Sequence, residues 1–182
     1  FLMDAETFVL TANPVNDAPT ANAASGTTSE DQSVVISLSG YDIDGDNLSF
    51  SLSSDATNGT VTLDGSLATY TPNTDYNGDD GFSFTVSDGE YTSNADVSVS
   101  ISAVNDAPVL ATVSNVSFDE DESGSTILSG SDVDGDALEY AVSGGFSITA
   151  SLDGDTVTFT APEDYNGSEQ FTVTVTDGEY IA

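Results

Sequence analysis

The stretch SVVISLSGYDIDGDNLSFSLS, Ser33 to Ser53, decides the fold. Apolar residues fall at alternate positions on both sides of an acidic centre: Val34, Ile36 and Leu38 before it, Leu48, Phe50 and Leu52 after it. A period of two with one apolar face marks a half-buried strand. The centre, Asp42 to Asp46, carries a glycine and no apolar periodicity, so it reads as a tight loop between two strands.

The same alternation continues outward. GTVTLDG (Val61, Leu63), SLATYTP, GFSFTVSDG (Phe82, Phe84, Val86) and DVSVSISA (Val97, Val99, Ile101) follow, each bounded by turn residues, and a first strand is expected between Pro19 and Glu30. Seven short antiparallel strands, A to G, predict an all-β fold: a Greek-key β-sandwich of immunoglobulin type. Tyr76 and Tyr165, each in DYNG just before strand F, stand where such sandwiches carry a tyrosine corner.

The pattern then repeats. Asn16 and Asn105, Tyr76 and Tyr165, and Asp88 and Asp177 are each 89 residues apart, and Asp42 and Asp132 are 90 apart. A unit of about 90 residues suits a small all-β domain and is too long for a solenoid rung. STILSG, ALEYAVSG, FSITASLDG, DTVTFTAP and EQFTVTVTDG restate the strand order in a second unit. VNDAP occurs twice, at Val15–Pro19 and Val104–Pro108; proline cannot sit inside a central strand, so the phrase reads as a joint. The expected division is residues 1–14 as the last strand of a preceding repeat, 15–104 as the first sandwich, and 105–182 as a second sandwich without its final strand. Thr7 to Pro19 aligns with Asp96 to Pro108, which makes Phe8, Val9 and Leu10 the end of a G strand, whereas Ala182 aligns with Ser93, ahead of strand G. Two readings follow: a window of a longer array, or a chain whose N-terminal strand completes the second domain of the next copy.

Composition narrows the chemistry. The chain has 182 residues, 32 Asp and Glu, and no Lys, Arg, His or Cys. No side-chain salt bridge, disulfide or thiolate site can form, so the carboxylates must face water, accept hydrogen bonds or bind metal. A polyanion without a basic patch is repelled by nucleic acid and by anionic lipid, and no apolar run is long enough to span a membrane, so neither nucleic-acid binding nor membrane insertion is expected. An enzyme is not expected either, since only a carboxylate pair would be available for catalysis.

The acids are placed by a rule. D-x-D-G-D occurs at Asp42, Asp44 and Asp46 and again at Asp132, Asp134 and Asp136. Three carboxylates at alternate positions of a tight turn converge only around a cation, and Ca²⁺ suits an all-oxygen set. An EF-hand would need Gly at the sixth position and Glu at the twelfth; Asn47 and Ser53, and Ala137 and Ser143, stand there instead. Alternating strands place the B–C and F–G loops at one pole of a sandwich and the A–B and E–F loops at the other. Asp132, Asp134, Asp136 and Asp177 then share the entry pole of the second unit. Glu30, Asp31, Asp75, Asp79 and Asp80 share the exit pole of the first, and Asn105 and Asp106 lie in the joint. A calcium ion needs about six to eight oxygens, more than one loop supplies, so the two domains and the joint are expected to share ions.

These residues resemble the cadherin-like repeats of large bacterial surface proteins and adhesins, in which VNDAP closes each unit, and beyond them cadherins. The resemblance implies calcium ligation by Asn105 and Asp106 of the linker, by the early acid Glu30, by Asp132 and Asp134, and by the late Asp177; at the N-terminal joint the matching set is Asn16, Asp17, Asp42, Asp44 and Asp88. The cadherin L-D-R-E run is absent. The implied function is a structural or adhesive module of a secreted, cell-surface-attached bacterial protein or filament, with Ca²⁺ as cofactor and neighbouring repeats or head-to-tail copies as partners. An alternative is a calcium-dependent module binding extracellular polysaccharide, against which stands the absence of Trp.

Overall fold

The computed structural model describes residues 6–182. The chain divides into two compact units, the first closing at Ala103 and the second running from Val104 to Ala182. Among the described residues every regular element is a β-strand.

The first unit contains β1 (Thr20–Asn22), β2 (Ala24–Ser29), β3 (Val34–Ser37), β4 (Ser39–Tyr41), β5 (Ser49–Ser54), β6 (Gly59–Asp64), β7 (Leu67–Pro72), β8 (Gly78–Ser87) and β9 (Thr92–Ser102). One sheet has the order β2-β9-β8-β5 and the other β3-β7-β6, with β1 paired to β4 beside it. The alternating residues meet between the sheets: Ile36, Leu38, Ala68, Tyr70, Phe82, Phe84, Val86, Val97, Val99 and Ile101 form the buried core, with Val34, Leu48, Phe50, Leu52, Val61 and Leu63 packed against it. This is the immunoglobulin-like sandwich predicted from the period-two runs.

Two features differ from the seven unbroken antiparallel strands expected of the Greek-key sandwich. The first strand breaks at Ala23: β1 pairs antiparallel with β4, whereas β2 has crossed to the other sheet and runs parallel to β9, Ala24 opposite Val97 and Ser29 opposite Ser102. One strand thereby covers an edge of each sheet, which leaves less unpaired backbone exposed. Strand B breaks likewise at Leu38, whose side chain is buried while its amide donates to the Ser66 carbonyl.

The second unit contains β10 (Val109–Leu110), β11 (Ser123–Ile127), β12 (Gly130–Ser131), β13 (Glu139–Gly144), β14 (Thr149–Asp153), β15 (Thr156–Thr160) and β16 (Phe171–Thr176). Leu128, Val157 and Phe159 form its buried core, against which Val116, Phe118, Phe171 and Val173 pack. Its β11-β15-β14 sheet repeats β3-β7-β6, but β13-β16 has two strands where the first unit has four. Ser114–Asp119, the counterpart of β2, forms no strand, and neither does Gly167–Gln170, the counterpart of the first four residues of β8. Both segments of the first unit are paired with β9. In the second unit β16 is paired with β13, and Ile181 and Ala182 also stand beside it, at Thr176 and Val175.

The tyrosines close their loops differently from a tyrosine corner, whose hydroxyl reaches back upstream. Tyr76 donates forward to the Asp79 carbonyl at 2.8 Å, and Tyr165 to the Glu169 carboxylate at 2.9 Å.

Candidate metal centre

The loop between β4 and β5 is folded around one side chain. Asp42 Oδ1 accepts the amides of Asp44 at 2.9 Å and Asp46 at 3.3 Å, a turn made possible by Gly45 with φ of +80°. This draws the carboxylates inward, so that oxygens of Asp42, Asp44 and Asp46 lie within 4.8 Å of one another. Asp42 is only 7% exposed, and its Oδ2 is buried with no hydrogen-bond partner.

The preceding joint is fastened to the same pole. Asp17 N–H donates to Asp44 Oδ2 at 2.8 Å, and Asn16 Nδ2 donates to Asp88 Oδ2 at 3.0 Å. Asp88, in the turn between β8 and β9, accepts the amides of Tyr91 and Glu90 on its other oxygen. The Tyr91 amide, helped by Glu90 and Asn16, holds this carboxyl below its ordinary range. The structure thus brings Asp42, Asp44 and Asp46 together, ties Asp17 to Asp44 and ties Asn16 to Asp88.

The second unit repeats the arrangement almost bond for bond. Asp132 Oδ1 accepts the amides of Asp134 at 3.0 Å and Asp136 at 3.3 Å, and oxygens of the three carboxylates lie within 4.8 Å of one another. Asp106 N–H donates to Asp134 Oδ2 at 2.8 Å, and Asn105 Nδ2 to Asp177 Oδ2 at 3.0 Å. Asp132 Oδ2 is again buried without a partner. Burial pushes the Asp177 carboxyl up, but the amides of Tyr180 and Glu179, with Asn105, more than offset it and leave it lowered.

At the opposite pole of the first unit Asp31 and Asp75 come together: Asp75 N–H donates to Asp31 Oδ1 at 3.3 Å, and both backbones are left-handed, with φ of 58° and 57°. Asp121 and Asp164 copy this pair in the second unit. Glu30, beside Asp31, is 3% exposed, and its amide donates to the Ser102 carbonyl. Asp80 shares this pole's sequence neighbourhood but has another task. Its carboxylate takes the amides of Thr57 and Asn58 and the hydroxyl of Tyr70, fastening the β5–β6 loop. Glu169 does the same in the second unit for the amides of Phe146, Ser147 and Ile148 and the Tyr165 hydroxyl; chiefly the Phe146 amide pulls its carboxyl down to about 2. The sequence signal for this pair is a carboxylate on the inward phase of strand F, in step with Phe82 and Phe171 respectively.

The sequence matches the family described as "Bacterial Ig domain" twice, over residues 16–100 and 105–180. No curated protein matches it. Among solved structures, the human protocadherin-24 EC1-2 pair is similar with a TM-score of 0.50 and 18% identity, covering 88% of this chain and 87% of that one. An endo-fucoidan hydrolase of glycoside hydrolase family 107 gives a TM-score of 0.41 at 21% identity over 94% of this chain, which spans 28% of the hydrolase. The titin Z1Z2 domains in complex with telethonin give 0.38 at 12% identity, covering 93% and 94% of the two chains. At these identities the likeness extends to the fold alone.

Proposed function

We propose that this chain, which belongs to the bacterial Ig domain family, is a calcium-stiffened repeat of an extracellular, surface-attached bacterial protein or fibre. One observation carries the reading. Asp42 buries a carboxylate oxygen without any hydrogen bond beside two further carboxylates, in a chain that has no cationic side chain to neutralise them. A buried, unpaired carboxylate is costly, and a divalent cation is the remaining way to compensate it. Calcium fits because the available donors are all oxygens: carboxylates, the Asn16 and Asn105 amide carbonyls, and backbone carbonyls.

Asp42, Asp44, Asp46 and Asp88 with Asn16 and Asp17 are the ligands in one set, and Asp132, Asp134, Asp136 and Asp177 with Asn105 and Asp106 in the other. Glu30, Asp31 and Asp75 are the further ligands that the first unit offers at its opposite pole. Ligands drawn from a domain, its linker and the next domain couple units that would otherwise flex about a few residues. Affinities of about 10⁻⁴ to 10⁻³ M, usual for extracellular calcium modules, fill such sites outside a cell and leave them empty inside.

Calorimetric titration of calcium into the chelator-treated chain, with small-angle scattering before and after, tests the proposal. Saturable binding accompanied by a longer maximum dimension is expected. Absence of binding at millimolar calcium, or binding without any change in scattering, overturns the stiffening function.

A further inference from the structure

We propose that the two DYNG loops, at Asn77–Gly78 and Asn166–Gly167, are sites of spontaneous cyclisation and deamidation, whereas the third Asn-Gly pair of the chain, Asn58–Gly59, is held inert by the fold. The reaction needs only water. The Gly amide nitrogen attacks the Asn side-chain carbonyl carbon and gives up its proton to solvent. The side-chain nitrogen leaves as ammonia with the electron pair of the broken C–N bond, and a five-membered succinimide remains. Water then adds to one of the two ring carbonyls and breaks its bond to nitrogen, which yields aspartate or, with one more carbon in the main chain, isoaspartate. Glycine in the second position favours the attack, because no Cβ obstructs the approach and its backbone turns freely.

The three pairs stand in different surroundings. The Asn58 amide donates to Asp80 Oδ2 at 2.8 Å, and its carbonyl accepts the Asn73 amide at 2.8 Å. That carbonyl and the Gly59 nitrogen belong to one peptide plane, so the bond that holds the first also fixes the second. Gly59 opens β6 opposite Pro72 and packs so closely on Tyr70 that a Cβ would lie 2.6 Å from the ring. The nucleophile reaches the Asn58 side chain only if these contacts break. Asn77 and Asn166, by contrast, are exposed and lie outside the strands, and neither makes a hydrogen bond to another described residue. Gly78 and Gly167 are exposed too, and Gly78 is the end residue of β8, where a ladder opens most easily.

The position gives the reaction a structural consequence. In the first unit the altered residue stands between Tyr76 and Asp79, whose hydroxyl and carbonyl are bonded to each other, and two residues after Asp75, whose amide is bonded to Asp31. In the second it stands between Tyr165 and Glu169, the pair that fastens the Phe146, Ser147 and Ile148 amides. Each event therefore adds a carboxylate close in sequence to an aspartate pair, in a chain without a cationic side chain to balance it. Isoaspartate also lengthens the segment that the tyrosine bond closes.

Ageing the chain at mildly alkaline pH, folded in buffer and separately unfolded in urea, followed by digestion with Glu-specific and chymotryptic proteases and mass mapping of the peptides, is the test. In the folded chain the peptides carrying Asn77 and Asn166 should each gain one mass unit with time. The peptide carrying Asn58 should gain it about tenfold more slowly or less, since the hydrogen bonds that must open withhold the reactive conformer. In urea the three should react at similar rates. Asn77→Gln and Asn166→Gln break no hydrogen bond of the fold, and each should abolish the change in its own peptide alone and remove one acidic form from the ion-exchange profile. Equal rates at all three pairs in the folded chain overturn the proposal, as does a folded chain in which Asn77 and Asn166 react as slowly as Asn58. No metal takes part, so the outcome is independent of the calcium reading.

Discussion

Asp42 and Glu169 show one functional group, the carboxylate, in two settings. The Asp42 carboxylate has one oxygen bonded and one buried without a partner, as the proposed ligand role requires; both Glu169 oxygens are taken up by amides and a hydroxyl, which is the state of a fastener. Asp42→Asn keeps the acceptor for the Asp44 and Asp46 amides and removes the charge. Without calcium its melting temperature should equal or exceed that of the wild type, because like-charge repulsion falls. With calcium at a hundred times the dissociation constant, the wild type gains about 2.7 kcal/mol. At about 4 to 8 °C per kcal/mol for a domain of this size, that raises the first unit's melting temperature by about 10 °C or more, and the variant should lose most of the rise in circular-dichroism melts. Glu169→Gln tests the other task. The folded carboxyl is lowered from 4.5 to about 2, so its contribution is complete above the unfolded value and is lost as the pH falls through the folded one. The second unit's acid unfolding should therefore steepen less between about pH 4.5 and 2 in the variant. The clustering of the acids in each D-x-D-G-D loop was legible because D-x-D-G-D and VNDAP recur at fixed spacing; the fastening of Asp80 and Glu169 was not, because their amide partners lie on a loop more than twenty residues away.

At the level of strands and loops, the fastener holds the loop that precedes β6 to the strand that crosses it in the other sheet. Tyr70 on β7 is fully buried, and its hydroxyl donates to Asp80 Oδ2 at 2.9 Å. That contact, with burial first among the causes, pushes the phenol well above its ordinary range. Tyr70→Phe removes a hydrogen bond to a charged acceptor and should cost about 2 kcal/mol, read as a lower urea midpoint with an unchanged slope. Gly59→Ala is expected to cost about as much by another route: a Cβ there would lie 2.6 Å from the Tyr70 ring and 2.7 Å from the Thr71 carbonyl oxygen, with little room to shift. The strands and their inward phases were readable because period-two alternation is unambiguous where one face is buried. The break at Ala23 was not, since TANAASGTTS has no apolar run to show where the chain leaves one sheet for the other. Nor was the loss of strand in Ser114–Asp119, whose Val116 and Phe118 have the right phase but lack a neighbouring ladder.

For the molecule as a whole, the question is whether 32 carboxylates without one compensating cation are a solvated surface or a set of ligands, and ion identity separates the two. Diffuse repulsion is screened by any salt: the Debye length falls from about 10 Å at 0.1 M to about 3 Å at 1 M, so sodium chloride should raise the melting temperature gradually and without saturation. Ligation in the Asp42 and Asp132 loops depends instead on coordination. Calcium accepts irregular sets of six to eight oxygens, whereas magnesium requires near-octahedral geometry and gives up its water reluctantly. Asp42 and Asp132 each offer one buried oxygen without a hydrogen-bond partner, beside the exposed carboxylates of Asp44 and Asp46 or of Asp134 and Asp136, an irregular oxygen set that suits the larger ion better than an octahedral one. Thermal melts in calcium, magnesium and sodium chloride at equal ionic strength should therefore diverge. Calcium should give a saturating rise at low millimolar concentration that Asp42→Asn and Asp132→Asn each reduce, while magnesium and sodium should follow a common, shallow curve that neither substitution alters. Coincidence of the three curves would assign the acids to solvation and leave the chain a pair of bacterial Ig domains whose joints bind no ion.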